Sequence, residues 1–101
     1  NSDFSLSNEI VLPKKMSISQ NYPNPFNPVT EFNFSISNPS NISLNIYNIK
    51  GELADKIINN KYYNAGKFSI VYEPKNIASG IYFYQIDDGK STLNKKMIYL
   101  K

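Results

Sequence analysis

Residues 20–30 read Gln20-Asn21-Tyr22-Pro23-Asn24-Pro25-Phe26-Asn27-Pro28-Val29-Thr30, and the reading of this stretch decides the fold. Pro23, Pro25 and Pro28 each hold φ at about −65° and push the residue before them toward extended or polyproline geometry, so no helix forms here. Asn24 and Asn27 precede prolines and carry side chains able to bond nearby backbone, while Tyr22 and Phe26 add apolar rings at the same interval. The stretch reads as a stiff, aromatic-anchored lead-in to a β-domain. A rigid linker ahead of a sandwich would have the same composition.

Working outward, the chain after the prolines carries a period of two. In Thr30 to Ile36, Phe32, Phe34 and Ile36 fall on one face and Glu31, Asn33 and Ser35 on the other, as in a strand with one side in a core and one in water. Asn38-Pro39-Ser40-Asn41 is a turn by composition, and Ile42, Leu44 and Ile46 then alternate with Ser43, Asn45 and Tyr47. Asn48-Ile49-Lys50-Gly51 is read as a hairpin connection with Gly51 free to take positive φ, followed by a shorter, less regular strand over Leu53 to Ile58. A polar loop is expected around Tyr62 and Tyr63. Phe68, Ile70 and Tyr72 form a further strand, interrupted by Val71 and stopped by Pro74.

Ile81 to Ile86 is almost wholly apolar and predicts a central strand covered on both faces. Asp87-Asp88-Gly89-Lys90 is a tight turn leading into a last strand over Ser91 to Leu100. Before the proline stretch, Ser17 to Tyr22 suits a short edge strand, and residues 1–16 suit a linker with some extended character. The expectation is an all-β, immunoglobulin-like antiparallel sandwich of about seven strands over residues 17–101.

Composition narrows the function classes. One hundred and one residues make one sandwich core and no second domain. Eight tyrosines and six phenylalanines supply that core with bulky rings. The net charge of +3 comes from lysines scattered among acids, which points away from a nucleic-acid groove. Cysteine and histidine are both absent, so disulfides, thiolate metal sites and the commonest general base are excluded together. No apolar run approaches the roughly 20 residues that span a bilayer, and the sequence does not open on a charged-then-apolar signal pattern. Together with the absence of an initiating Met, this leads us to expect a segment of a longer polypeptide.

Asn21-Tyr22-Pro23-Asn24-Pro25-Phe26-Asn27-Pro28-x-Thr30 closely resembles the opening signature of the type A C-terminal sorting domains of the type IX secretion system, and resembles the immunoglobulin-like domain of flagellar hook-capping proteins less closely. Tyr47-Asn48-Ile49-Lys50-Gly51-Glu52-Leu53 fits a second family pattern, with Asn48 where Asp is frequent. Asn76-Ile77-Ala78-Ser79-Gly80 is a turn that resembles the family's Leu-Ala-Ser-Gly-x-Tyr corner, and Lys95-Lys96-Met97-Ile98-Tyr99-Leu100-Lys101 resembles its basic-then-apolar end.

The resemblance implies a non-catalytic address that takes an upstream cargo from the periplasm to the cell surface or extracellular space. It implies an outer-membrane translocon and a sortase-like peptidase as partners, with cleavage before or around the domain start. It also implies that the motif residues through Thr30, with Gly51, Gly80 and Tyr82, are structural or recognition positions, and that the translocon engages Lys95 to Lys101. We expect strand addition onto an exposed last strand as the physical route. Self-association through edge strands follows from the same exposed edges.

Candidate chemistry elsewhere yields to simpler readings. Asp87 and Asp88 are neighbours whose side chains point apart, with no third carboxylate at ligand spacing, so they read as a turn; Glu52 and Asp55 fare no better. No phosphate loop, nucleophile elbow or triad is present, and neither cofactor nor metal is expected. Asn33-Phe34-Ser35 and Asn41-Ile42-Ser43 match the glycan-acceptor pattern, as an Asn-rich chain does by chance. Tyr62, Tyr63, Tyr72, Tyr82, Tyr84 and Tyr99 read either as half-buried core with hydroxyls at the rim or as a sugar-stacking platform. Two alternatives to the sorting signal follow: a structural subunit using strand addition and a carbohydrate-binding module.

Overall fold

A computed structural model describes residues 16–101, and the expected linker up to residue 15 lies outside the described residues. Seven strands follow in order: β1 (Met16–Ile18), β2 (Thr30–Ile36), β3 (Ser40–Asn48), β4 (Leu53–Tyr63), β5 (Gly66–Tyr72), β6 (Gly80–Asp87) and β7 (Thr92–Tyr99). They form two antiparallel sheets, β1-β2-β5 and β4-β3-β6-β7, packed as a sandwich.

Alternation builds the core. Phe32, Phe34 and Ile36 from one sheet face Ile42, Leu44, Ile46, Tyr84, Ile86 and Met97 from the other, all buried. Each such side chain contributes roughly 1.5–3 kcal/mol through its removal from water. The sheets also interlock through rings. Phe32 meets Tyr84 edge-on at 4.7 Å and Phe34 meets Tyr63 edge-on at 5.4 Å, while Phe34 also packs on Phe68 of its own sheet at 5.4 Å. At the open side the Tyr72 hydroxyl of β5 donates to Asp55 of β4 at 2.8 Å, a tie between the two sheets. Burial, reinforced by the Asp55 carboxylate that accepts its proton, pushes the Tyr72 hydroxyl well above the usual phenol range.

Four local expectations are corrected. The run Ile81 to Ile86 is not covered on both faces: Ile81 and Phe83 are 43% and 38% exposed while Tyr82, Tyr84 and Ile86 are buried. β6 lies between antiparallel neighbours, and among the described residues no helix covers its far face. The expected polar loop around Tyr62 and Tyr63 is instead the second half of β4, which pairs with β3 as far as Tyr63 opposite Ser40. Register shifts along this pair and the left-handed Asn60 (φ 50°), whose N–H donates to Ser43 Oγ at 3.1 Å, keep the strand attached where its sequence turns polar.

Val71 does not interrupt β5. It stands on the outer face, 66% exposed, so Phe68, Ile70 and Tyr72 alternate cleanly. The first strand takes in Met16 and ends at Ile18; beyond it Tyr22 makes only a bridge to Glu31, with N–H to O distances of 3.1 and 2.9 Å.

Candidate recognition surface

The proline stretch crosses one end of the sandwich, and its polar side chains build a small buried lattice there. Asn21 is buried. Its N–H donates to Tyr84 Oη at 3.0 Å, its Nδ2 donates to the Pro23 carbonyl at 3.1 Å and to Thr30 Oγ1 at 3.0 Å, and its Oδ1 accepts from Gln20 Nε2 at 2.7 Å. Thr30 Oγ1 in turn donates to the Pro23 carbonyl at 2.9 Å, and Tyr84 Oη to the Ser19 carbonyl at 2.9 Å. Burial pushes the Tyr84 hydroxyl up to about 12, with the Asn21 N–H pulling the other way. Asn, Thr and Tyr side chains matter here because Asn21 N–H and the Pro23 carbonyl bond side chains, whereas Tyr22 and Phe26 bond neighbouring backbone. The peptide bonds preceding Pro23, Pro25 and Pro28 are cis.

Phe26 is the hydrophobic plug. It is buried, stacked on Tyr99 at 5.0 Å between ring centroids and tilted against Tyr72 at 6.4 Å. Its backbone lies parallel to the end of β7, donating to the Ile98 carbonyl at 3.1 Å and accepting from Leu100 N–H at 3.0 Å. Asn24 Oδ1 accepts from Ile98 N–H at 2.9 Å, and Gln20 Nε2 donates to the Lys96 carbonyl at 2.7 Å. Tyr22, Pro23, Asn24, Pro25, Asn27 and Pro28 are exposed.

The terminal segment is thus held along its outer edge. Within Lys95–Lys101, Met97 and Tyr99 belong to the core, Lys95 and Ile98 are half-buried, and Lys96, Leu100 and Lys101 are exposed. Lys101 N–H donates to Ser79 Oγ at 2.7 Å, anchoring the segment to the corner before β6. That corner is closed by Tyr82, whose hydroxyl donates to the Ala78 carbonyl at 2.7 Å, and by Gly80, whose φ of 156° suits glycine. The β3–β4 hairpin sits at the same end, since Asn48 pairs with Tyr82. Asn48 Oδ1 accepts from the N–H groups of Lys50 and Glu52 at 2.9 and 3.0 Å, and its Nδ2 donates to Glu52 Oε1 at 2.8 Å. Asn therefore supplies the acceptor an Asp would, plus a donor.

These contacts overturn the expected route of strand addition at Met97–Lys101, because the outward N–H and C=O of Ile98 and the N–H of Leu100 already bond the proline stretch. The tyrosine platform does not form either: Tyr72, Tyr82, Tyr84 and Tyr99 are buried, and only Tyr62 of that set is largely exposed. Gln20 and Ser79, which fasten the terminal segment, were not singled out by sequence reading. Both stand within motif stretches, Gln20 opening the proline stretch and Ser79 inside the Asn76–Gly80 turn, and their polar side chains are the available signal. Among the described residues no group of three or more His, Cys, Asp or Glu is placed to hold a metal ion.

The family model for the secretion system C-terminal sorting domain matches residues 20–100. The chain belongs to this family. The sorting domain is a C-terminal signal for type IX secretion of a cargo protein, and its destination is the cell surface or extracellular space, across the outer membrane. Family membership gives it the type IX machinery and an upstream cargo as its associates. No curated protein and no solved structure matches this chain.

Proposed function

We propose that the folded sandwich is a non-catalytic address read by an outer-membrane translocon and then handed to a sortase-like peptidase that cuts ahead of β1. The residues preceding β1 tether the cargo. One observation carries this reading: both ends of the family-matched region, the proline stretch and the Lys95–Lys101 segment, meet at one end of the fold and bond each other. In this reading Asn21, Phe26, Thr30, Gly51, Gly80 and Tyr82 shape the address, and Lys95, Lys96, Leu100 and Lys101 are presented by it.

The test is a passive periplasmic reporter carrying residues 1–101 at its C-terminus, in a host with this export route. Reporter at the cell surface supports the reading, and reporter retained in the periplasm with the domain folded overturns it. Deleting Met97–Lys101 is a poor substitute, since it removes the buried Met97 and Tyr99 and reports on folding.

A further inference from the structure

Resting on the sorting-signal reading, we infer that the export machinery reads the side chains of a composite surface, made jointly by residues 20–26 and 95–101, through an acidic receptor surface with an apolar recess. Neither segment is the signal alone.

The argument begins with what the fold leaves available. The outward backbone at the end of β7 and just past it is occupied from the Lys96 carbonyl to Leu100 N–H: the Lys96 carbonyl accepts from Gln20, Ile98 N–H donates to Asn24, the Ile98 carbonyl accepts from Phe26, and Leu100 N–H donates to Phe26. A partner strand has no ladder to join there. Side chains remain. Gln20 opposite Lys96 and Asn24 opposite Ile98 bracket Tyr22, whose side chain is 78% exposed although every flanking contact is native structure. Leu100 is 51% exposed at the far end of the same seam, and Lys96 and Lys101 are exposed beside it.

Large apolar side chains held out by a rigid backbone are the anchors that interfaces use, because ordering them on binding costs little entropy. Charge supplies the complement. Residues 20–30 and 95–101 together carry Lys95, Lys96 and Lys101 and no acidic side chain, and the hairpin at the same end balances Glu52 with Lys50, whereas the turn at the opposite end of the sandwich carries Asp87 and Asp88 against the single Lys90. A receptor that orients the domain by charge is therefore acidic where this seam lands, and its recess takes Tyr22 and Leu100.

Export of the reporter carrying residues 1–101 tests this with four variants, each checked for an unchanged melting temperature. Lys96→Glu with Lys101→Glu should cut surface delivery by about tenfold or more, while Lys96→Arg with Lys101→Arg should restore it. Tyr22→Ser, on the other segment, should also cut delivery severalfold, and Leu100→Ser likewise. If the parent is exported and the charge reversal is neutral, the acidic receptor is wrong. If the tail variants matter and Tyr22→Ser does not, the signal is linear and the composite surface is wrong. Should the reversal pair lower the melting temperature, Lys96→Gln with Lys101→Gln replaces it, with loss of delivery expected and parental delivery overturning the claim. Failure of the parent itself sinks the sorting reading, a separate outcome from either of these.

Discussion

The two ends of the sandwich secure their connections by opposite means. At one end, the Asp87 to Ser91 turn is held by its own side chains: Asp87 Oδ1 accepts from Gly89 N–H, Asp88 Oδ1 from the N–H groups of Lys90 and Ser91, and none of these side-chain bonds spans more than 3 residues. At the other end, the proline stretch is held by groups 63 to 76 residues distant, on Tyr84, Ile98 and Lys96. A local turn stabilises itself and nothing else. The distant end ties the start of the domain to its finish, so its integrity depends on both sheets being in place, and any surface it presents exists only in the folded state.

The comparison breaks if the far end proves as tolerant as the near one. Phe26→Ala should have the largest effect, about 3–5 kcal/mol, because it empties the space between Tyr99 and Tyr72 at a site braced by backbone bonds on both sides. Urea unfolding of the purified chain measures it, and a loss below about 1 kcal/mol would mean the ring is not a plug. Tyr84→Phe should follow at about 1–3 kcal/mol: the ring stays, yet the buried Asn21 N–H and the Ser19 carbonyl lose their shared partner. The same unfolding curves, with unchanged slope, check it.

The contrast also explains what the sequence made legible. Period-two alternation identifies β2, β3 and β5 because one side of each faces a core. It fails for β6, where an apolar run reads the same whether one face or both are covered, and for the second half of β4, where Asn59, Asn60 and Lys61 look like loop but Asn59 and Asn60 form an irregularity after which Lys61 pairs again with Ile42. At the candidate surface each motif is legible by itself, since proline and glycine act on their own backbone. Their meeting is not legible. A bond from Gln20 to Lys96 spans 76 residues and leaves no periodic trace, and so the end of the last strand reads as a free edge when it is covered there.

Two smaller effects sharpen the comparison. Gly51 has φ 83° with nothing within 4 Å of where a Cβ would sit, so Gly51→Ala carries a purely conformational cost of about 1–2 kcal/mol. If thermal unfolding shows no loss, the hairpin relaxes where the proline stretch cannot.

The smallest effect belongs to the acidic turn and appears only in acid. Burial by itself would raise the Asp88 carboxyl, but the N–H groups of Lys90 and Ser91 and the Ser91 hydroxyl outweigh it and hold the group below its ordinary value of 3.8. The unfolded chain then binds this proton at a higher pH than the folded one does. The turn's contribution is therefore complete above the unfolded value and is lost as pH falls through the folded one. Because Asp88 is largely solvent-exposed, that contribution is strongly screened. Asp88→Asn should leave the melting temperature near neutral pH almost unchanged and flatten its decline only below about pH 4, whereas the Tyr84→Phe loss should be constant across that range. A variant that melts early at every pH would mean that the near turn, too, depends on the rest of the fold.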